Sequence, residues 1–248
     1  MHLYVANDYQ ELSRRAAQLF IEAVSRKPDS AVVLATGDTP MGMYRVLTEH
    51  IRAGKLDTSQ LLLFQLDGYL GVSLDDPRSL EGWLVRSVLK PWGIPSDRFV
   101  RLPEDATDTD LVCSQYDEAV RRIGGFDLAV LGLGPNGHLG FNEPPAAADA
   151  PTRVVSLTPE SLKSNARYWG SQEQVPRRSI TAGMDVLLQA RHILLLVSGE
   201  RKREILRKTL FGPVTEQVPS SFLQLHPNVT IFADRAALPD EAALSRSS

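Results

Sequence analysis

Short apolar runs alternate along the chain with longer stretches in which apolar residues recur every three or four positions. The runs predict strands at residues 2–5, 31–35, 61–66, 127–131, 153–156, 192–197 and 228–232. The periodic stretches predict helices at residues 9–25, 41–53, 79–89, 110–123, 160–168, 184–189 and 200–211. Strand and helix alternate from end to end, which implies an α/β fold built on a largely parallel sheet with helices on both faces. The Pro- and Ala-rich piece at 144–151 reads as a connector, with a cover over a neighbouring site as the alternative.

Composition narrows the picture. With 248 residues, 43% hydrophobic and 23% charged, the chain reads as one globular domain over 1–248, its tail frayed after about residue 239. The net charge of -3 offers no basic field for nucleic acid or an anionic membrane, so an anionic ligand has to be held by a local arrangement. The one cysteine, Cys113, falls in a predicted helix and reads as a small core residue in a reducing compartment. Residues 1–10 lack the basic start and apolar stretch of a leader, and no run is long enough to span a bilayer, so the expected location is cytoplasmic.

Candidate chemistry gathers where four predicted strands end. The run Phe126 to Leu131 leads into a glycine-rich turn, Gly132 to Pro145, that carries His138, Glu143 and the amides of Asn136 and Asn142. A buried strand ending in such residues describes the carboxyl edge of a parallel sheet, where open α/β folds bind ligands. Gly132-x-Gly134-x-x-Gly137 spells a dinucleotide fingerprint, but the residues after Gly137 are poor helix formers and the next strand lacks the required acid, so no dinucleotide is expected.

The strand at 31–35 runs into Thr36-Gly37-Asp38-Thr39-Pro40, a helix start whose N–H groups suit an anion; it lacks the Gly-Lys ending of a nucleotide-binding P-loop. The alternative is an ordinary turn with Asp38 or Thr39 as N-cap, and the Asp38 charge opposes a phosphate unless its side chain points away. The strand at 61–66 ends in Asp67-Gly68-Tyr69, which either turns a carboxylate toward a ligand or caps a turn. The strand at 192–197 ends in Ser198-Gly199-Glu200-Arg201-Lys202, where a lysine in the first turn of a helix points to a bound anion or to simple solvation.

Taken in order, these motifs, together with Ser221-Phe222-Leu223-Gln224-Leu225-His226, resemble the superfamily of glucosamine-6-phosphate deaminases and 6-phosphogluconolactonases, within it the deaminase branch, over residues 31–237. The resemblance implies a three-layer, Rossmann-like α/β/α fold without dinucleotide, cofactor or metal, and conversion of an amino-sugar phosphate to a keto-sugar phosphate plus ammonia. It implies Asp67 as the base at C2, His138 as the ring-opening acid–base group with Glu143 behind it, and Asn136 as an orienting amide. It implies a phosphate on Gly37, Asp38 and Thr39 with cations from Arg167 and Lys202.

Two positions depart from the family pattern, Gly68 where an acid often follows the base and Asp38 where Gly is common, and both leave the sugar epimer open. The alternatives are a galactosamine-6-phosphate deaminase, a 6-phosphogluconolactonase and a non-enzymatic sugar-phosphate sensor. The expected partner is a small sugar phosphate, with the chain a monomer or small homo-oligomer. Allosteric members carry Ser, Arg and Lys after the Asn-Glu-Pro motif; Ala146, Arg153 and Val155 stand at those positions here, so no activator site is expected.

Overall fold

The computed structural model describes residues 1–238; the predicted frayed tail lies outside the described residues. Strands β1 (His2–Ala6), β2 (Ala31–Leu34), β3 (Leu62–Gln65), β5 (Phe99–Val100), β6 (Leu128–Gly132), β9 (Ile193–Val197) and β10 (Val229–Asp234) form one seven-stranded sheet. Its order is β1-β10-β9-β6-β2-β3-β5, and every neighbouring pair is parallel. Strand β4 (Asp67–Tyr69) leaves the end of β3 and pairs antiparallel with β8 (Arg178–Thr181), which pairs in turn with β7 (Arg153–Ser156). The sequence pattern finds β7 but neither of the other two strands of this sheet, because Asp-Gly-Tyr carries a turn composition and Arg-Ser-Ile-Thr is too short to show a period.

Side chains alternate across the main sheet. Val32, Leu34, Leu63, Leu128 and Val130 face α1 (Tyr9–Arg26) and α2 (Asp38–Arg52), whose Leu12, Phe20, Met43 and Leu47 are buried against them. Val33, Phe64, Ala129 and Leu131 face the other way, toward α5 (Thr109–Arg122), α7 (Met184–Leu188) and α8 (Arg203–Phe211). Strands covered on both faces need apolar residues at every position, which is why β2 and β9 read as unbroken hydrophobic runs. Cys113 packs into this second face from α5, and burial pushes its thiol up to about 11.

The helix predicted at 79–89 is broken into α3 (Leu80–Leu84), a widened π turn at Val85–Leu89 and α4 (Lys90–Trp92). Pro91 follows the widened turn, and its missing N–H disrupts the regular ladder there. The helix predicted at 200–211 starts with a 3-10 turn, Glu200–Lys202, before α8. A third cluster under the small sheet joins Tyr69, Phe141, Leu157, Leu162 and Trp169, and ties α6 (Pro159–Trp169) to β4. The 144–151 segment is a connector: Ala146 is buried and its N–H donates to the Glu216 carbonyl, and none of these residues lines the cleft described below.

Candidate active site

Strands β9, β6, β2 and β3, whose ends carry the four motifs, are consecutive neighbours in the sheet. The chain leaves β2 toward β3 on one side and returns as β6 on the other, so the crevice between β2 and β6 lies at the point where strand order reverses. A cleft of about 370 Å³ opens there, lined by Gly37, Asp38, Thr39, Asp67, His138, Arg167 and Lys202 among others. Asn136 and Glu143 stand behind His138 and do not line it.

Asp67 is only 7% exposed, and its Oδ1 is buried without a hydrogen-bond partner. Burial pushes its carboxyl up to about 7, because little around it replaces the water a carboxylate loses. The backbone is fixed from behind: the Gln65 side-chain amide donates to the Asp67 carbonyl at 3.0 Å, and its oxygen accepts from Leu102 N–H. The result is a carboxylate near its titration midpoint at neutral pH, facing a ligand-sized space.

Across the cleft, the glycine-rich turn brings His138 in close to its own backbone. A Cβ on Gly134 would lie 2.1 Å from the His138 ring, so a side chain at 134 is incompatible with this imidazole position. Gly137, at φ 89, supplies the left-handed turn that reverses the chain between them. No helix follows, which removes the dinucleotide reading.

His138 Nδ1 meets Glu143 Oε2 and Ser161 Oγ, each at 3.3 Å. Asn136 donates to the same Glu143 oxygen at 2.7 Å and to Thr158 Oγ1 at 3.1 Å, while its Oδ1 accepts the His138 N–H. Burial raises the Glu143 carboxyl, but the hydrogen bonds and charge from His138 and the donors Ser161 and Asn136 outweigh it and hold it at about 2. Glu143 is therefore an anion that orients the imidazole through Nδ1 and leaves Nε2 for a ligand. Thr158 and Ser161 are absent from the sequence reading; Thr158 before Pro159 is a helix-start signature, and it caps α6 by accepting the Ser161 N–H.

The anion end departs from expectation in one respect. Gly37, not Asp38 or Thr39, is the N-cap of α2, at φ 91, and Asp38 begins the first turn. The Asp38 side chain, 68% exposed, lies against Arg167 at 3.2 Å and accepts from the Tyr168 hydroxyl at 2.9 Å. Its carboxylate thus occupies the guanidinium of Arg167, while the backbone N–H groups at the start of α2 stay available. Lys202 donates to the Leu133 carbonyl, and burial, aided by the Arg167 charge, lowers its ammonium to about 8. Among the described residues no three of His, Cys, Asp and Glu converge as a metal-ligand set, and no helix is long and apolar enough to cross a membrane.

The chain is similar in sequence and fold to known proteins. The chain is 38% identical to a glucosamine-6-phosphate deaminase of Thermoanaerobacter pseudethanolicus, covering 97% of this chain and 96% of that one. It is 40% identical to a glucosamine-6-phosphate deaminase of Halothermothrix orenii, covering 96% and 98%. The solved structure of a monomeric glucosamine-6-phosphate deaminase superposes with a TM-score of 0.93 at 36% identity, over 96% of this chain and 98% of that one. The fold is shared more distantly by 6-phosphogluconolactonase from Trypanosoma cruzi, with a TM-score of 0.76 at 22% identity over 95% of each chain. With residues 7–232 matching its model, the chain belongs to the family of glucosamine-6-phosphate isomerases and 6-phosphogluconolactonases.

Proposed function

We propose that the protein converts glucosamine 6-phosphate and water to fructose 6-phosphate and ammonia; relatives that match nearly the whole chain are named glucosamine-6-phosphate deaminases. The observation that carries this reading is two unlike acid–base groups on one cleft: a buried, incompletely paired carboxylate at Asp67, and an imidazole backed by an anionic carboxylate at His138 and Glu143. Two carboxylates whose environments push their proton affinities apart, Asp67 upward and Glu143 downward, suit a reaction that needs a separate base beside an acid–base relay.

In this reading the phosphate sits on the backbone N–H groups of Gly37, Asp38 and Thr39, with Lys202 as a compact charge and Arg167 as a fork of donors. That anchor brings the sugar's C2 to Asp67. His138 moves a proton between the anomeric hydroxyl and the ring oxygen, which opens the pyranose; Glu143 stabilises the imidazolium, and Asn136 orients Glu143. Once the C1 aldehyde forms, the C2 proton becomes acidic. Asp67 takes it, the electron pair moves to form the enolamine, and Asp67 returns the proton to C1. The resulting C2 imine adds water and expels ammonia, which leaves the ketone.

A relative 36% identical over nearly the whole chain is a monomeric deaminase, which supports action as a monomer or small homo-oligomer. A phosphorylated substrate that does not cross membranes unaided fits the cytoplasm. The test is incubation with glucosamine 6-phosphate, galactosamine 6-phosphate and 6-phosphogluconolactone in turn, with ammonia release and lactone loss as readouts. Ammonia from glucosamine 6-phosphate is expected; lactone loss without ammonia from either amino sugar would replace this reading with the lactonase one.

A further inference from the structure

We propose that the Tyr69 hydroxyl touches the substrate and reads its C3 and C4 hydroxyls, with Trp169 orienting the phenol. The inference deepens the sugar-phosphate reading of the same cleft and rests on it. Tyr69 and Asp67 are two apart on β4, so both side chains leave the same face of the strand, and both line the cleft. Gly68 between them faces the opposite way, where a Cβ would lie 2.5 Å from Glu104 Cγ.

The phenol is held rigidly. Tyr69 is 3% exposed, its ring 5.2 Å from Phe141 and edge-on to Trp169 at 5.3 Å. The Trp169 indole N–H is buried without a hydrogen-bond partner, and its ring meets the phenol edge-on. The phenol makes no hydrogen bond among the described residues, so its proton is left for a ligand acceptor. Burial first, then the Asp67 charge, raise the phenol above its ordinary range, so it remains a donor throughout neutral pH.

Its place along the ligand follows from its neighbours. Asp67 marks C2. Tyr168 marks the phosphate end, since its hydroxyl bonds to Asp38 and lies 3.9 Å from a Cβ built on Gly37. Tyr69 is two residues from Asp67 on one face of β4 and packs edge-on against Trp169, the residue that follows Tyr168, so it stands between the two ends, beside the intermediate carbons C3 and C4. The gluco and galacto epimers differ at C4, which makes this hydroxyl a contributor to that choice. Packing alone is satisfied by Phe at 69.

The test compares wild type with Tyr69→Phe and Trp169→Phe on glucosamine 6-phosphate and its 3-deoxy and 4-deoxy analogues. Both variants keep the ring stack, and thermal melts check their folding. Tyr69→Phe is expected to lower kcat/KM on glucosamine 6-phosphate about threefold to tenfold, the loss of one hydrogen bond, and to cost little on the analogue that lacks the contacted hydroxyl. Trp169→Phe gives a smaller loss with the same pattern. Wild-type kcat/KM in Tyr69→Phe, or an equal loss on all three sugars, overturns the inference. If wild type releases no ammonia, the deaminase reading fails by itself; the same pattern is then sought in calorimetric affinities for the three sugars, and absence of binding overturns this inference as well.

Discussion

Two buried groups set the behaviour of the site with pH, and burial acts on them in opposite senses. Asp67 is pushed up to about 7 and Lys202 down to about 8. In the free enzyme kcat/KM is expected to rise with pH through about 7 as Asp67 ionises, and to fall above about 8 as Lys202 loses its proton. A pH–rate profile checks this, and Lys202→Arg should extend the alkaline limb. The same shift fixes a stability effect. An Asp raised from its unfolded value of 3.8 stabilises the fold below that value and loses the contribution as pH climbs through 7. Asp67→Asn should therefore gain stability relative to wild type between pH 4 and pH 8, by on the order of 4 kcal/mol, read as a pH-dependent difference in melting temperature. Asp38→Asn should free Arg167 and lower KM a few-fold, roughly the worth of an exposed ion pair. Asp67, His138 and Lys202 are legible in the sequence because each ends or follows a buried apolar run. Ser161, Tyr69 and Trp169 are not, because nothing local distinguishes a helix serine or an aromatic from its packed equivalents until the fold brings it to the cleft.

At the level of elements, the glycine-rich turn and the start of α6 act as one unit. Gly134 makes room for the imidazole and Thr158 caps α6 while donating to Glu143 at 3.0 Å. Gly134→Ala should displace His138 and lower kcat by about a hundredfold with phosphate affinity retained, measured by steady-state kinetics alongside inorganic phosphate inhibition. Thr158→Ala should cost about 1 kcal/mol of stability through the lost cap, seen in denaturant melts. Six strands of the seven-stranded sheet were legible, the central ones because they are covered on both faces and carry continuous apolar runs, while the two-residue β5 at its edge was missed. The three-stranded sheet was not legible, since β4 has three residues, two of them turn formers, and its partner β8 meets it from more than a hundred residues away. Yet this small sheet carries Asp67, the proposed base. A pattern read along the chain finds the scaffold and misses the strand that leaves it.

For the whole molecule, the order of strands places the four motif-bearing ends side by side, so one crevice gathers residues from positions 37 to 202. The same arrangement bears on regulation. Ala146 is buried, and Arg153 turns inward to donate to Asn142 Oδ1 at 2.7 Å, which leaves neither free for an effector. Substrate saturation is expected to be hyperbolic and unchanged by N-acetylglucosamine 6-phosphate; a sigmoidal curve made hyperbolic by that compound would contradict it. The central claim is that Asp67 carries a proton from C2 to C1 of a sugar opened by His138. Its most direct test is turnover of glucosamine 6-phosphate in deuterium oxide, with wild type and Asp67→Asn followed by proton NMR. Wild type should release ammonia and deliver fructose 6-phosphate that carries deuterium at C1 in the share of turnovers where the proton held on Asp67 exchanges with solvent before its return, while Asp67→Asn binds the sugar but neither exchanges the C2 proton nor releases ammonia. Exchange at C2 that continues at the wild-type rate in Asp67→Asn would contradict the account.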